Sequence, residues 1–195
     1  MIRKLMIAML LLQSGGLAAQ ETPESSRRIR ITTRVDFAYV PVGEIDFKNR
    51  DVQYEIYDNL LYRASCEYFV SDLISIGPGF EYSKKRVNPE ATFDEDMTQT
   101  NFYLDFRINH SLTDSGANYL VFGLGTGIGR ISESDNVSGT GFGLYGIVGF
   151  DIMLGSSMGL DLLYRYQASS ATVEDHDYKF NGSALEAGLN YRFKF

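Results

Sequence analysis

Several residue types that mark whole functional classes are scarce in this sequence. Its 195 residues include one cysteine, Cys66, no tryptophan, two histidines and four prolines. A single cysteine excludes a disulfide scaffold. No apolar run approaches the 18 or so residues of a spanning helix, so helical membrane proteins are excluded. A net charge of −7 makes nucleic acid a poor partner. What is abundant points elsewhere. Thirteen tyrosines and thirteen phenylalanines argue against disorder. Nineteen glycines without a collagen period suggest a turn-rich β protein, and the length suits one domain.

The N-terminus reads as an address. Met1 to Lys4 is basic, Leu5 to Leu12 is apolar, and Leu17-Ala18-Ala19 supplies small residues before Gln20-Glu21. This pattern predicts a signal peptide over residues 1–19, cleaved after Ala19. Loss of Arg3 and Lys4 would move the net charge from −7 to −9. Residues 20–28 are polar and read as a flexible segment, and 29–195 as the folded domain.

From Ile29 onward the pattern is alternation with period two, in eight stretches. In the first, Ile31, Thr33, Val35, Phe37 and Tyr39 share a face opposite Arg30, Thr32, Arg34 and Asp36. In the last, Leu185, Ala187, Leu189, Tyr191, Phe193 and Phe195 oppose Glu186, Gly188, Asn190, Arg192 and Lys194. The connections are expected to alternate: short at Ser71-Asp72, 113–118 and 155–158, longer at 42–59, 87–98, 132–138 and 169–178. That is the rhythm of an up-and-down antiparallel barrel of eight strands.

Alternation does not say which face points inward. An inward apolar face would give a soluble carrier of a greasy ligand. Three features favour an outward one. The polar face carries six arginines (Arg30, Arg34, Arg63, Arg107, Arg165, Arg192) and seven acids (Asp36, Glu67, Glu81, Asp105, Asp151, Asp161, Glu186). The planar guanidinium suits dry, multi-partner pairing, which buried charges require. Glycines crowd the same face in stretches five and six, leaving volume for arginines from the opposite wall. Aromatics gather near the stretch ends, as interfacial girdles do: Tyr39, Tyr62, Tyr82, Phe102, Phe142 and Tyr166 at one end, Tyr68, Phe150, Phe193 and Phe195 at the other. In lipid no backbone group can stay unpaired, so the sheet must close.

With a signal peptide, eight alternating stretches and the ending Leu189-Asn190-Tyr191-Arg192-Phe193-Lys194-Phe195, the chain resembles the small outer-membrane β-barrel family of outer membrane protein A (its transmembrane domain) and outer membrane protein X. The resemblance implies an all-β, eight-stranded, antiparallel up-and-down transmembrane β-barrel in the bacterial outer membrane. It also implies that Tyr191, Phe193 and Phe195 are read by the barrel-assembly machinery.

Catalytic signals are weak. Gly141 to Gly146 spells G-x-G-x-x-G, yet alternation continues through it with no helix to follow. His110 and Ser111 point to opposite faces as strand neighbours. Asp175-His176-Asp177, near Ser169 and Ser170, reads as a solvated loop. The loop end is acidic (Glu44, Asp46, Asp51, Glu55, Asp58, Glu90, Asp94, Glu95, Asp96, Glu133, Asp135, Glu174, Asp175, Asp177), with one basic cluster, Lys84, Lys85 and Arg86, placed to meet lipopolysaccharide phosphate. The expected protein is a monomeric surface scaffold, not an enzyme, with no cofactor and no nucleic acid. Its expected partners are outer-membrane lipid and lipopolysaccharide, the barrel-assembly machinery and an unknown surface partner. A lipid A acyl hydrolase or transferase and a narrow pore are the alternatives.

Overall fold

In a strand each side chain points opposite to its neighbour, so an alternating stretch presents one apolar and one polar edge to whatever pairs with it. The computed structural model describes residues 30–47, 52–87, 96–113, 117–132, 138–173 and 176–195. They form β1 (Arg30–Phe47), β2 (Val52–Phe69), β3 (Ile74–Val87), β4 (Asp96–Ser111), β5 (Asn118–Ser132), β6 (Ser138–Met153), β7 (Met158–Val173) and β8 (His176–Lys194). Each pairs antiparallel with its neighbours in chain order, and β1 pairs with β8, closing the barrel. The closing seam runs from Arg30 opposite Lys194 to Phe47 opposite Tyr178. Closure leaves no edge, the condition a spanning sheet must meet. The expected signal peptide, residues 1–19, and the 20–28 segment lie outside the described residues.

Orientation is settled by burial. Val35 and Leu189 are 52% exposed and Phe106 39%, whereas Arg34 is 1% exposed and Arg165 is fully buried. The apolar face is the outer face. Its aromatic residues pair edge-on between strands, Phe37 with Tyr62 at 5.5 Å and Phe80 with Phe102 at 5.2 Å.

One sequence expectation needs correction. The first and last long connections are largely strand: β1 continues to Phe47 and β2 begins at Val52, while β7 continues to Val173 and β8 begins at His176. Glu44, Asp46, Glu55 and Asp58 therefore sit on strands, where continuous pairing outweighs their turn-like chemistry. Strands of 14 to 19 residues exceed the roughly 9–11 that cross the apolar slab, so the wall stands beyond the bilayer. Asp96 starts β4. Asp51, Glu90, Asp94, Glu95, Glu133, Asp135, Glu174 and Asp175 lie outside the described residues.

Pro78 interrupts the β2–β3 wall without shifting it. The β2–β3 register is the same on both sides, Ser65 with Gly79 and Tyr68 with Ile76, but the pairs between them are missing. Proline has no N–H to give there. Gly77 lets the strands pass closely, since a Cβ on it would meet the Cys66 carbonyl oxygen at 2.0 Å. The register shifts lie higher, between Tyr39 and Val42 on β1 and between Tyr57 and Leu60 on β2.

Candidate functional site

The lumen is organised in tiers. At the end where the tight turns lie, Asp151 of β6 pairs in register with Asp161 of β7. Side by side, two carboxylates need shared donors. Arg34 Nη1 donates to both Asp161 oxygens at 2.6 and 2.7 Å and to Asp151 at 3.4 Å. Asn190 Nδ2 donates to Asp151 at 3.1 Å and Asp161 at 3.0 Å, and Arg192 Nη2 reaches Asp151 at 2.5 Å.

The next tier centres on Glu67. It accepts from Arg34 Nε at 3.2 Å and Ser75 Oγ at 2.8 Å, and Arg107 Nε lies 2.9 Å away as an ion pair. Above it, Arg63 donates to Asp105, the Tyr145 hydroxyl and Glu186, the last at 3.3 Å. Arg165 donates to Glu81 and, at 3.5 Å, to Glu186. Asn101 Nδ2 adds a bond to Glu81 at 2.8 Å. Asp36 is fully buried, 3.8 Å from Arg63 Nη1. Charges this dry are costly unless paired and hydrogen-bonded, and Asp36 and Arg107, ion-paired but without a side-chain hydrogen bond among the described residues, are the least satisfied of the set.

Twelve of the thirteen polar-face charges thus meet inside the barrel. Arg30 does not. It stands at the rim, its side chain 32% exposed, and pairs with Asp72 in the β2–β3 turn, because the first position of β1 lies at the mouth.

Tyr103 and Tyr145 share the buried polar face with Asp105 and Ile147 on their own strands. The Tyr145 ring lies beneath two guanidiniums, with Arg165 Cζ 4.1 Å and Arg63 Cζ 4.9 Å from its centroid. Its hydroxyl donates to Asp105. Tyr103 meets it edge-on at 5.0 Å. Two lumen glycines, Gly125 and Gly143, make room for these rings rather than for arginines. A Cβ on Gly125 would lie 2.0 Å from Tyr145 Cε1, and one on Gly143 would lie 2.8 Å from the Tyr103 hydroxyl. An aromatic alternating with glycines on a charged face was the available signal. Gly125→Ala is expected to cost about 1–3 kcal/mol, since the pinned ring cannot retreat. Gly146→Ala is expected to be near neutral, because its Cβ would meet nothing closer than Leu124 Cδ2 at 3.7 Å. Urea unfolding of both variants in lipid vesicles measures the contrast.

Towards the outer end the two faces exchange character. Inside, Ala38, Leu61 and Ala184 pack together, and Met97, Ile131, Ala171, Tyr178 and Phe180 are buried nearby. Tyr178 and Phe180 stack at 6.4 Å. Outside, Lys84, Arg130, Thr140, Ser170, Thr172 and Lys179 are exposed. Thr100, Arg130, Thr140 and Thr172 form one cross-strand row. The side chains of Lys85, Arg86 and His176 lie outside the described residues. His110 is exposed at the turn end, and the neighbouring Ser111 hydroxyl is bound to the Thr113 carbonyl. Gly141 to Gly146 is continuous β6 strand.

The model of the outer membrane protein beta-barrel domain matches residues 8–193. The chain belongs to that family. This outer membrane β-barrel protein resides in the bacterial outer membrane, where its exposed apolar band meets lipid. Among solved structures it resembles Neisserial surface protein A at 15% identity, covering 84% of this chain and 97% of that one, with a TM-score of 0.65. OprG from Pseudomonas aeruginosa follows at 14% identity, covering 85% and 96%, with a TM-score of 0.61. Ail, the attachment invasion locus protein of Yersinia pestis, stands at 12% identity, covering 84% and 98%, with a TM-score of 0.50. Likeness at these identities is a likeness of fold. No curated protein sequence matches the chain.

Proposed function

We propose that this outer membrane barrel is a closed, non-catalytic scaffold that carries a polar collar above the bilayer. The collar engages the phosphorylated sugars of lipopolysaccharide and presents the outer rim to a surface partner. The exchange of character along the wall carries this reading. Among the described residues ion pairs occupy the membrane level of the lumen and largely apolar side chains its outer end, which argues against a wet path for a solute. Eight strands enclose a space that side chains just fill. The exterior turns from apolar to hydroxyl-rich and cationic at the height of lipid headgroups, where Lys84, Arg130 and Lys179 are placed to attract phosphate. Of the basic cluster 84–86, Lys84 is the member whose side chain is described.

The rest of the reading follows from this scaffold. Residues 1–19 act as an export signal, and Tyr191, Phe193 and Phe195 as the assembly signal. The closed sheet is a monomer that needs no cofactor. The test is thermal unfolding in neutral detergent, with and without purified lipopolysaccharide. A rise of about 2–4 °C is expected, and loss of most of it in a Lys84→Gln, Arg130→Gln, Lys179→Gln triple variant. An equal rise in the variant removes the collar from the account. Altered lipid A acyl chains in cells making the protein would replace the scaffold with an enzyme, and stable conductance steps in planar bilayers would replace it with a pore.

A further inference from the structure

Below the ion-pair tiers, the turn end of the barrel opens into a cup of about 380 Å³. That volume lies within the usual range for a small-molecule site. Arg30 and Arg192 both line it, each lying over an aromatic ring. Arg30 Cζ is 4.8 Å from the Phe69 centroid and Arg192 Cζ is 4.4 Å from that of Tyr119. Stacking fixes the guanidinium plane and leaves its N–H edge free to point across the cup.

Among the described residues neither arginine uses all its donors. Arg192 bonds Asp151 through Nη2, and Arg30 uses Nη2 for Asp72 and the Ser71 carbonyl. The Arg192 Nε is buried and has no hydrogen-bond partner among the described residues. The same is true of the Oγ1 of Thr32, a fully buried residue in the same wall. A buried polar atom left unpaired is costly, and both of these lie in residues that line the cup. Met153, Leu154 and Phe193 give the rest of the wall an apolar lining.

We propose that this cup binds a small organic anion: a carboxylate or phosphate monoester on a flat apolar body. The oxygens lie between Arg30 and Arg192 and accept from the Thr32 hydroxyl, while the body rests on Phe69, Met153 and Leu154. Forked guanidiniums suit such oxygens. Short turns of outer membrane barrels face the periplasm, so the ligand comes from that side. The inference is independent of the collar, which lies at the opposite end.

Methionine-methyl NMR in maltoside micelles tests it. After residue 20 the chain has only Met97, Met153 and Met158. Met153 lines the cup and Met97 is buried near the outer end, which makes it an internal control. Titration with phenylphosphate is expected to move the Met153 signal saturably and leave Met97 unmoved. Phenol, which lacks the anion, is expected to bind about tenfold more weakly or worse. Arg30→Gln is expected to weaken phenylphosphate about tenfold without unfolding the barrel, because its partner Asp72 is solvent-exposed. Thr32→Val, a change of nearly equal volume, is expected to weaken it severalfold. Equal movement of Met97, equal saturation by phenol, or unchanged affinity in both variants overturns the proposal.

Discussion

Glu67→Ala is expected to destabilise the barrel by about 3–5 kcal/mol, the cost of leaving a buried charge without its partner. The size follows from what surrounds it. Arg34 keeps Asp161 when Glu67 is removed, but Arg107 is 1% exposed and Glu67 is the acid it pairs with among the described residues. Ser75 also loses its acceptor. Adding Arg107→Met should recover much of the loss, since burying neither charge costs less than burying one. Urea midpoints of the two single variants and the double variant, refolded into vesicles, give the coupling. Equal and additive losses would mean that Arg107 is already satisfied elsewhere.

Leu104→Arg carries the second large effect, about 2–4 kcal/mol. Leu104 is 54% exposed on β4, in line with Pro78 and Thr126 on the adjoining strands. Its exposure is to hydrocarbon, and a guanidinium there must thin the bilayer or draw in water. Thr100→Arg on the same outer face lies beside Arg130 at the upper boundary and is expected to cost about 0–1 kcal/mol. The difference between the two sites, read from urea unfolding in vesicles, measures depth. A soluble barrel would tolerate both alike.

The architecture was legible because a two-residue period survives in the chain without any tertiary knowledge. Val35 beside Arg34, or Leu189 beside Asn190, declares two faces at once. The choice of the inner face was legible because arginine and acid occur on one face in near-matching numbers. The height of the wall was not. Above Tyr39 and below Leu60 the sequence turns to glycine and acids, which read as loop, and only pairing across the β1–β2 and β1–β8 seams makes those residues strand. The apolar interior of the outer end was hidden for a related reason. Leu61, Ile131 and Phe180 lie inside in continuous register with the charged positions, so the face stays constant while its chemistry changes. Tyr145 was visible as a residue but not as a hub, because its partners Arg63, Asp105 and Arg165 come from three other strands. Arg30 was misplaced because position along the axis, unlike face, leaves no periodic trace.

The seam between β1 and β8 has a consequence for the order of events in the cell. The first strand finds one of its two neighbours only when the last has been synthesised. Until then its carbonyls and amides stay unsatisfied along a whole side, and entry into hydrocarbon is prohibitively expensive. The last strand must therefore reach the first as the sheet enters hydrocarbon, which couples insertion to ring formation.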